Sequence, residues 1–227
     1  GAAAAAPTAG PAGPAPANAA ERDGVFVAQI LTIHPDNPQP RLIGQVVDSI
    51  RGGGVCVIPT DSGYALSCAL ENKNGVDIIR QIRRLDEKHN FTLLCRDLSE
   101  IAVYATVENQ VYRLLRAHTP GAYTFILSAT REVPKRLLHP KRKQIGIRIP
   151  DNHISLQILE SLGEPLMTST LILPGEDVPL TDAYDINSLL GHTVDMVIDG
   201  GFCGFIGTSV IDLTGEVPVV SRHGAGD

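Results

Sequence analysis

Apolar residues in this chain alternate between short β-branched runs and stretches of helical spacing, from residue 25 onward. The clearest run is Val55-Cys56-Val57-Ile58, opened by Gly52, Gly53 and Gly54 and closed by Pro59-Thr60-Asp61-Ser62-Gly63-Tyr64-Ala65-Leu66. Such a run, bounded by glycine and proline, predicts a short buried strand. Small polar residues at its exit stand where ligands meet the carboxyl edge of a sheet. A buried strand with an ordinary turn is the competing reading.

The surrounding pattern extends this picture. Residues 25–33 form an apolar lead-in of strand type, closed by His34-Pro35 and by Pro38 and Pro40. Leu42, Ile43, Val46, Val47 and Ile50 predict a helix over 41–50. Residues 66–70 read as a further strand, and Val76, Ile78, Ile79 and Ile82 mark a helix ending in a charged loop, 83–90. After a strand at 91–95, Asp97 and Glu100 have the spacing of a capping box and open a helix. A helix over 108–117 is stopped by Thr119-Pro120-Gly121. Strands at 123–127 and 145–149 flank a basic segment broken by Pro134 and Pro140. A helix closed by Gly163, a strand over 166–173 and a helix over 182–190 follow. Strands at 196–198, 209–213 and 217–221 end the pattern. Interleaved strands and helices, with two strands adjacent at the end, predict one α/β domain over 24–227 with a twisted, mixed parallel and antiparallel sheet. Of the first twenty residues, eighteen are Ala, Pro or Gly, so 1–23 is expected to be a disordered tail.

Composition narrows the class. With 227 residues, 43% of them hydrophobic, the chain can bury a full core. No apolar run approaches the ~18 residues of a membrane span, and no membrane partner is expected. Cys56, Cys68, Cys95 and Cys203 form no CxxC pair and no Cys/His cluster, which argues against a zinc or redox motif and leaves no metal ligands assigned. They read as buried thiols of a reducing, cytoplasmic compartment. The net charge of −6 argues against general nucleic-acid affinity. Within 131–148, however, Arg131, Lys135, Arg136, Lys141, Arg142, Lys143 and Arg148 face Glu132 alone. That segment suits an anionic ligand or partner, although a solvated charged loop is the plainer reading of 141–143.

The common nucleotide motifs are missing. No Walker-type loop is present, and Gly201, Gly204 and Gly207 lead into a strand, so they form no dinucleotide fingerprint. Residues 200–208 are either a backbone loop facing an anion or a plain connector. No Ser/His/Asp arrangement is defensible, and no catalytic residue is assigned. His153, just after Arg148-Ile149-Pro150, is the histidine set apart. What recurs is hydroxyl residues at strand ends: Thr60, Thr124, Thr168, Ser169, Thr208 and Ser209, with Arg148 and Arg222 close by. Hydroxyls orient small polar ligands and arginine forks grip carboxylate or phosphate, which points to a polar, anion-accepting cleft.

These residues carry a family resemblance. The stretch 53–66 resembles the opening motif of the YrdC/YciO family, which includes the threonylcarbamoyl-AMP synthases. In order, Thr119-Pro120-Gly121 with Thr124 resembles its Pro-Gly-x-x-Thr turn, and Arg148-Ile149-Pro150 its Arg-x-Pro strand. Thr168-Ser169 resembles the start of its Ser-x-Asn motif. Thr208-Ser209-Val210-Ile211-Asp212 resembles Ser-Thr-Val-x-Asp, and Arg222-His223-Gly224 the closing Arg-x-Gly. The resemblance implies a sheet curved around a basic concave cavity. It also implies ATP, L-threonine and bicarbonate as substrates, giving threonylcarbamoyl-AMP and pyrophosphate for tRNA modification, with Mg²⁺ accompanying the ATP. It sets Thr60, Tyr64, Thr124, Arg148 and Ser209 on the threonine side, with Arg148 pairing the carboxylate. Arg83, Lys88, Ser169, Thr208 and Arg222 fall on the nucleotide and phosphate side.

Two departures divide that site. Counting back from the strand at Phe91 sets Arg83 and Leu85 at the positions of the synthases' Lys-x-Arg motif, with Lys88 elsewhere in the loop. Ser169-Thr170-Leu171 lacks the asparagine of Ser-x-Asn. Both resemble the YciO branch more than the synthase branch, leaving threonine recognition intact and ATP chemistry weakened. The alternative is a protein that binds double-stranded RNA or tRNA through Arg131, Lys135, Arg136, Lys141, Arg142 and Lys143, without synthase activity. Carbamoyl-adenylate chemistry on another amine is a third reading.

Overall fold

The computed structural model of the protein describes residues 20–22, 25–85 and 91–227. The expected tail lies outside the described residues except for β1 (Ala20–Arg22), which pairs antiparallel with β2 (Val25–Val27).

The next elements are β3 (Gln29–Thr32), α1 (Pro40–Arg51), β4 (Cys56–Thr60), β5 (Gly63–Ala69), α2 (Lys73–Arg83) and β6 (Thr92–Leu94). They continue with α3 (Leu98–Tyr104), α4 (Asn109–His118), β7 (Tyr123–Ser128), β8 (Gln144–Arg148), α5 (His153–Leu162) and β9 (Leu166–Thr170). The chain closes with α6 (Ala183–Leu190), β10 (Met196–Asp199), β11 (Ser209–Asp212) and β12 (Val219–Arg222). Among the described residues ten strands form one sheet in the order β12-β11-β7-β8-β6-β9-β5-β4-β10-β3. Parallel and antiparallel neighbours are mixed: β10 runs parallel to β3 and β4, whereas β5 is antiparallel to both β4 and β9.

The alternation in the opening stretch sorts its side chains between the sheet's two faces. Cys56 and Ile58 pack with Ile43, Val46 and Ile50 of α1 and Ile154 and Ile158 of α5. Val55 and Val57 join the larger cluster on the other face, with Val76 and Ile79 of α2 and Ile186 of α6. Burial of α1 and α5 against β4 therefore follows from a period of two meeting a period near 3.6.

Helix ends carry their expected caps. Asp97 Oδ1 accepts from the Glu100 N–H at 2.8 Å, and Glu100 Oε1 accepts from the Arg96 N–H, one residue before the usual target of a capping box. Gly163 takes a φ of 78° to end α5. The end of α2 is less expected. Arg84 adopts the left-handed φ of 52°, its N–H bonds Gln81 O, and Leu85 N–H bonds Arg80 O. That is a Schellman ending, which favours an apolar residue after the left-handed one, and Leu85 packs against the core.

Curvature, more than strand order, positions the site. Register aligns Arg148 with Leu94, Leu94 with Leu166, and Leu166 with Ala69. Ala69 lies at the far end of β5 from Gly63, ~20 Å away along the strand. Yet Arg148 hydrogen-bonds Ser62, beside Gly63. Three inter-strand steps at ~20–25° each turn β8 by roughly 70° relative to β5, so Arg148 crosses the concave face. The connection from Asp199 to Ser209 makes the same point. In a flat sheet it would span seven inter-strand spacings, ~34 Å, close to the reach of its fully extended chain. It instead dips to touch Tyr64, which requires a curled sheet.

Candidate functional site

The concave face encloses a cavity of about 250 Å³. Its wall is built from strand ends and termini: Thr60 from β4, Tyr64 from β5, Thr124 from β7, Arg148 from β8 and Ser169 from β9. Thr208 precedes β11, Arg222 ends β12, and Arg83 ends α2. Eight of the ten residues expected at the substrate and nucleotide sides thus meet in one hollow. Lys88 lies outside the described residues. Ser209 is not in the wall: its hydroxyl donates to Gly226 O at 2.8 Å and accepts from Gly224 N–H, tying down the C-terminal segment. The structure therefore sets Ser209 apart from the eight residues of the wall.

Each arginine is held differently. Arg148, 5% exposed, donates from Nη1 to Ser62 Oγ at 2.6 Å and pairs through Nη2 with Asp61 Oδ1. Its Nε is buried without a hydrogen-bond partner among the described residues. Burial lowers the affinity of this guanidinium for its proton, and the Asp61 carboxylate opposes that shift. Asp61 Oδ2 accepts from the Asp151 N–H at 3.0 Å. Arg83 donates from Nη1 to Ser169 Oγ at 2.6 Å and from Nε to Ile172 O at 3.3 Å. Burial lowers its pKa too. Arg222 donates to Thr208 O at 2.9 Å and to Thr208 Oγ1 at 3.0 Å, and that hydroxyl lies 2.7 Å from Thr124 Oγ1. Guanidinium groups stay charged through such shifts. No Asp or Glu belongs to the described wall, and Arg83 and Arg222 meet neutral oxygens in these hydrogen bonds. The hollow therefore carries a net positive potential that favours an anion.

Thr60 and Tyr64 organise the lip. Thr60 Oγ1 donates to Gly63 O at 2.7 Å and accepts from the Ser62 N–H, which fixes the β4–β5 turn. Tyr64 OH donates to Gly201 O at 2.7 Å and accepts from Gly200 N–H, so its hydroxyl anchors the 200–208 loop. Burial raises the Tyr64 pKa and keeps the phenol protonated. Gly63 has a φ of 111°, and a Cβ there would lie 3.2 Å from Gly204 O, so only glycine suits this approach. His153 is exposed at the start of α5 and is not in the wall.

Sequence reasoning missed Asp61 and Ser62 as partners of Arg148. The signal was present, since both sit in the two-residue turn of the opening hairpin, but nothing local reveals a partner more than eighty residues away.

The basic segment behaves as two parts. Arg136 is tied to the fold through Leu70 O at 2.7 Å and Glu71, and its backbone carbonyl accepts from Arg80. These bonds set Arg136 apart from the exposed cations of the segment. Arg131, Lys135, Lys141, Arg142 and Lys143 are exposed. None of these six lines the cavity, because the segment joins β7 to β8 at the end of that hairpin away from Thr124 and Arg148.

Fold and wall together define a twisted α/β sheet curled around an arginine-lined hollow. The Sua5/YciO/YrdC family model, described as "Telomere recombination", matches residues 48–224, and the chain belongs to this family. It is 53% identical over 201 residues to YciO of Escherichia coli K12, covering 88% of this chain and 98% of that protein. The crystal structure of E. coli YciO superposes with a TM-score of 0.85 over 88% of this chain and 97% of that one. A threonylcarbamoyl-AMP synthase of Mus musculus is 27% identical over 176 residues, 74% of this chain and 61% of that protein. Sua5 of P. abyssi, crystallised with L-threonine, shares the fold at 22% identity and a TM-score of 0.79, over 86% of this chain and 57% of that one. Among the described residues no helix is long and apolar enough to cross a membrane.

Proposed function

We propose that this cavity binds L-threonine and the phosphates of ATP and forms threonylcarbamoyl-AMP from ATP, L-threonine and bicarbonate, for tRNA modification. The observation that carries the reading is the convergence of Arg83, Arg148 and Arg222 with hydroxyl side chains on a hollow whose described wall has no carboxylate. Threonine nitrogen and the bicarbonate carbon join with loss of water to give a carbamate. A carbamate oxygen then bonds to the α-phosphorus of ATP, the bond to the bridging oxygen breaks, and pyrophosphate leaves with its electron pair. Arg83 and Arg222 stabilise charge on the phosphates, while Thr60, Tyr64, Thr124 and Arg148 hold the amino-acid end, so that positioning and electrostatics supply the catalysis.

Size supports a division of the site. A cavity of about 250 Å³ is below the ~300–1,000 Å³ of drug-sized ligand sites, so it suits an amino-acid-sized group while the rest of the nucleotide extends outward. Mg²⁺ prefers carboxylate and water oxygens. The described wall offers no carboxylate, and Asp61 beside it is committed to Arg148 and the Asp151 N–H. This donor set does not fit a protein-held Mg²⁺, and no step here runs through one. Free Cys56, Cys68, Cys95 and Cys203 support a reducing, cytoplasmic setting.

Incubation with ATP, labelled bicarbonate and threonine tests the reading. Equal yields of the adenylate and pyrophosphate, requiring all three substrates, are expected, at a rate below that of a proven synthase. The absence of turnover in either direction, under conditions where that synthase works, overturns it. The exposed basic residues of 131–143 favour the second reading, a double-stranded RNA or tRNA surface separate from the cavity.

A further inference from the structure

We propose that Asp61 is a specificity-determining residue that restricts the amino-acid end of the cavity to α-amino acids, an inference that rests on the proposed binding of threonine there. Arg148 is the buried cation of that end, and its two terminal nitrogens are already engaged, one by Ser62 Oγ and one by Asp61 Oδ1. Nε is buried without a hydrogen-bond partner among the described residues, and each terminal nitrogen keeps one further N–H. An incoming carboxylate therefore meets a guanidinium whose terminal nitrogens each already hold an oxygen, and on Nη2 it either shares the nitrogen with Asp61 or displaces it. Sharing sets two carboxylates side by side, which like-charge repulsion disfavours, and the alternative is to take the place of Asp61 on Nη2.

Displacement has a cost that depends on what else the ligand brings. The Asp61 and Arg148 side chains are only 13% and 6% exposed, so a bare carboxylate that captured Arg148 would leave the Asp61 charge nearly buried and unpaired. An α-amino acid carries an ammonium one carbon from its carboxylate. Such a zwitterion enters between the two residues, its carboxylate on Arg148 and its ammonium on Asp61 Oδ1. Asp61 stays anchored meanwhile, because Oδ2 holds the Asp151 N–H at 3.0 Å. The resident ion pair is thus a template for a zwitterion and a barrier to simple acids. By contrast, Arg83 and Arg222 bond neutral oxygens and accept anions without any such exchange.

The test compares threonine with 2,3-dihydroxybutanoate, which keeps the carboxylate and side chain but replaces the amine by hydroxyl, using calorimetry on the full chain. Wild-type protein is expected to favour threonine by roughly tenfold or more, the scale set by an unpaired buried charge. In Asp61→Asn that preference collapses toward unity, with dihydroxybutanoate gaining affinity because its competitor for Arg148 is gone. Equal affinities in the wild type overturn the proposal without any variant. A preference that persists in a folded Asp61→Asn protein, checked by its melting transition, overturns it as well. Another α-amino acid binding in place of threonine, with the same collapse in Asp61→Asn, supports the role of Asp61 and overturns the threonine reading. If no α-amino acid binds the wild type, both are overturned.

Discussion

Arg83 and Ser169, far apart in the chain, are joined by a 2.6 Å hydrogen bond from Nη1 to Oγ. It ties the last residue of α2 to β9 and fixes a guanidinium over the cavity. Arg83→Ala is expected to weaken ATP and pyrophosphate binding by roughly 10- to 100-fold, the scale of a charge-assisted hydrogen bond. Threonine affinity should stay within about twofold. Ser169→Ala should cost less, because Arg83 keeps Ile172 O. Calorimetry with each ligand separates these outcomes.

Removing Arg148 has a stability consequence distinct from its effect on binding. In Arg148→Ala, Asp61 keeps the Asp151 N–H but loses its counter-ion in a nearly buried setting. Such a loss costs about 3 kcal/mol, read as a lower urea midpoint at unchanged m-value. Adding Asp61→Ala should recover part of it, and a further fall in the double variant would refute the account.

Alkaline pH should destabilise the fold through its thiols. Burial pushes Cys56 and Cys68 up to about 12, from an ordinary 9.0, and raises Cys95 well above that value. Thiols with a raised folded pKa favour the native state fully below the unfolded pKa, and that contribution fades as pH rises toward the folded one. Between pH 9 and 12 the unfolded chain therefore gains by ionising while the folded chain does not. Each of these three thiols should cost about 1 kcal/mol at pH 10 relative to pH 7. Urea melts at the two pH values check this, and Cys56→Ala or Cys68→Ala should flatten the dependence.

The exposed basic hairpin and the cavity should be separable. Lys141→Glu, Arg142→Glu and Lys143→Glu combined should reduce double-stranded RNA affinity about tenfold or more and flatten its salt dependence. ATP and threonine binding should be unaffected, since none of the three lines the cavity. Unchanged RNA affinity in filter binding would count decisively against the RNA surface.

Gly224 controls how the C-terminal segment seats. A Cβ at this position would lie 2.3 Å from Gly207 O and 2.5 Å from Thr208 backbone atoms. Gly224→Ala should push the segment off the wall, loosen Arg222 from Thr208, and weaken phosphate binding several-fold. Faster hydrogen exchange at Ala225, whose N–H bonds Gly207 O at 2.9 Å, would report the displacement.

Much of this protein was readable from local pattern. The apolar run 55–58 marked a buried strand, and Asp97 and Gly163 marked helix ends, because such runs and caps are properties of neighbouring residues. The ordered hydroxyl and arginine motifs named the residues that would share a cleft. Tertiary structure decided the rest. Leu85 occupies a position counted as basic, yet it closes a Schellman turn against the core. Ser209 bonds the C-terminal segment and not the hollow, and Arg136 is fastened to Leu70 and Glu71. Above all, the meeting of Arg148 with Asp61 depends on twist accumulated over several strands, which brings residues from opposite ends of the register together across a curved face. A sequence carries the side chains for such a contact, but only the curl of the whole sheet determines that they meet.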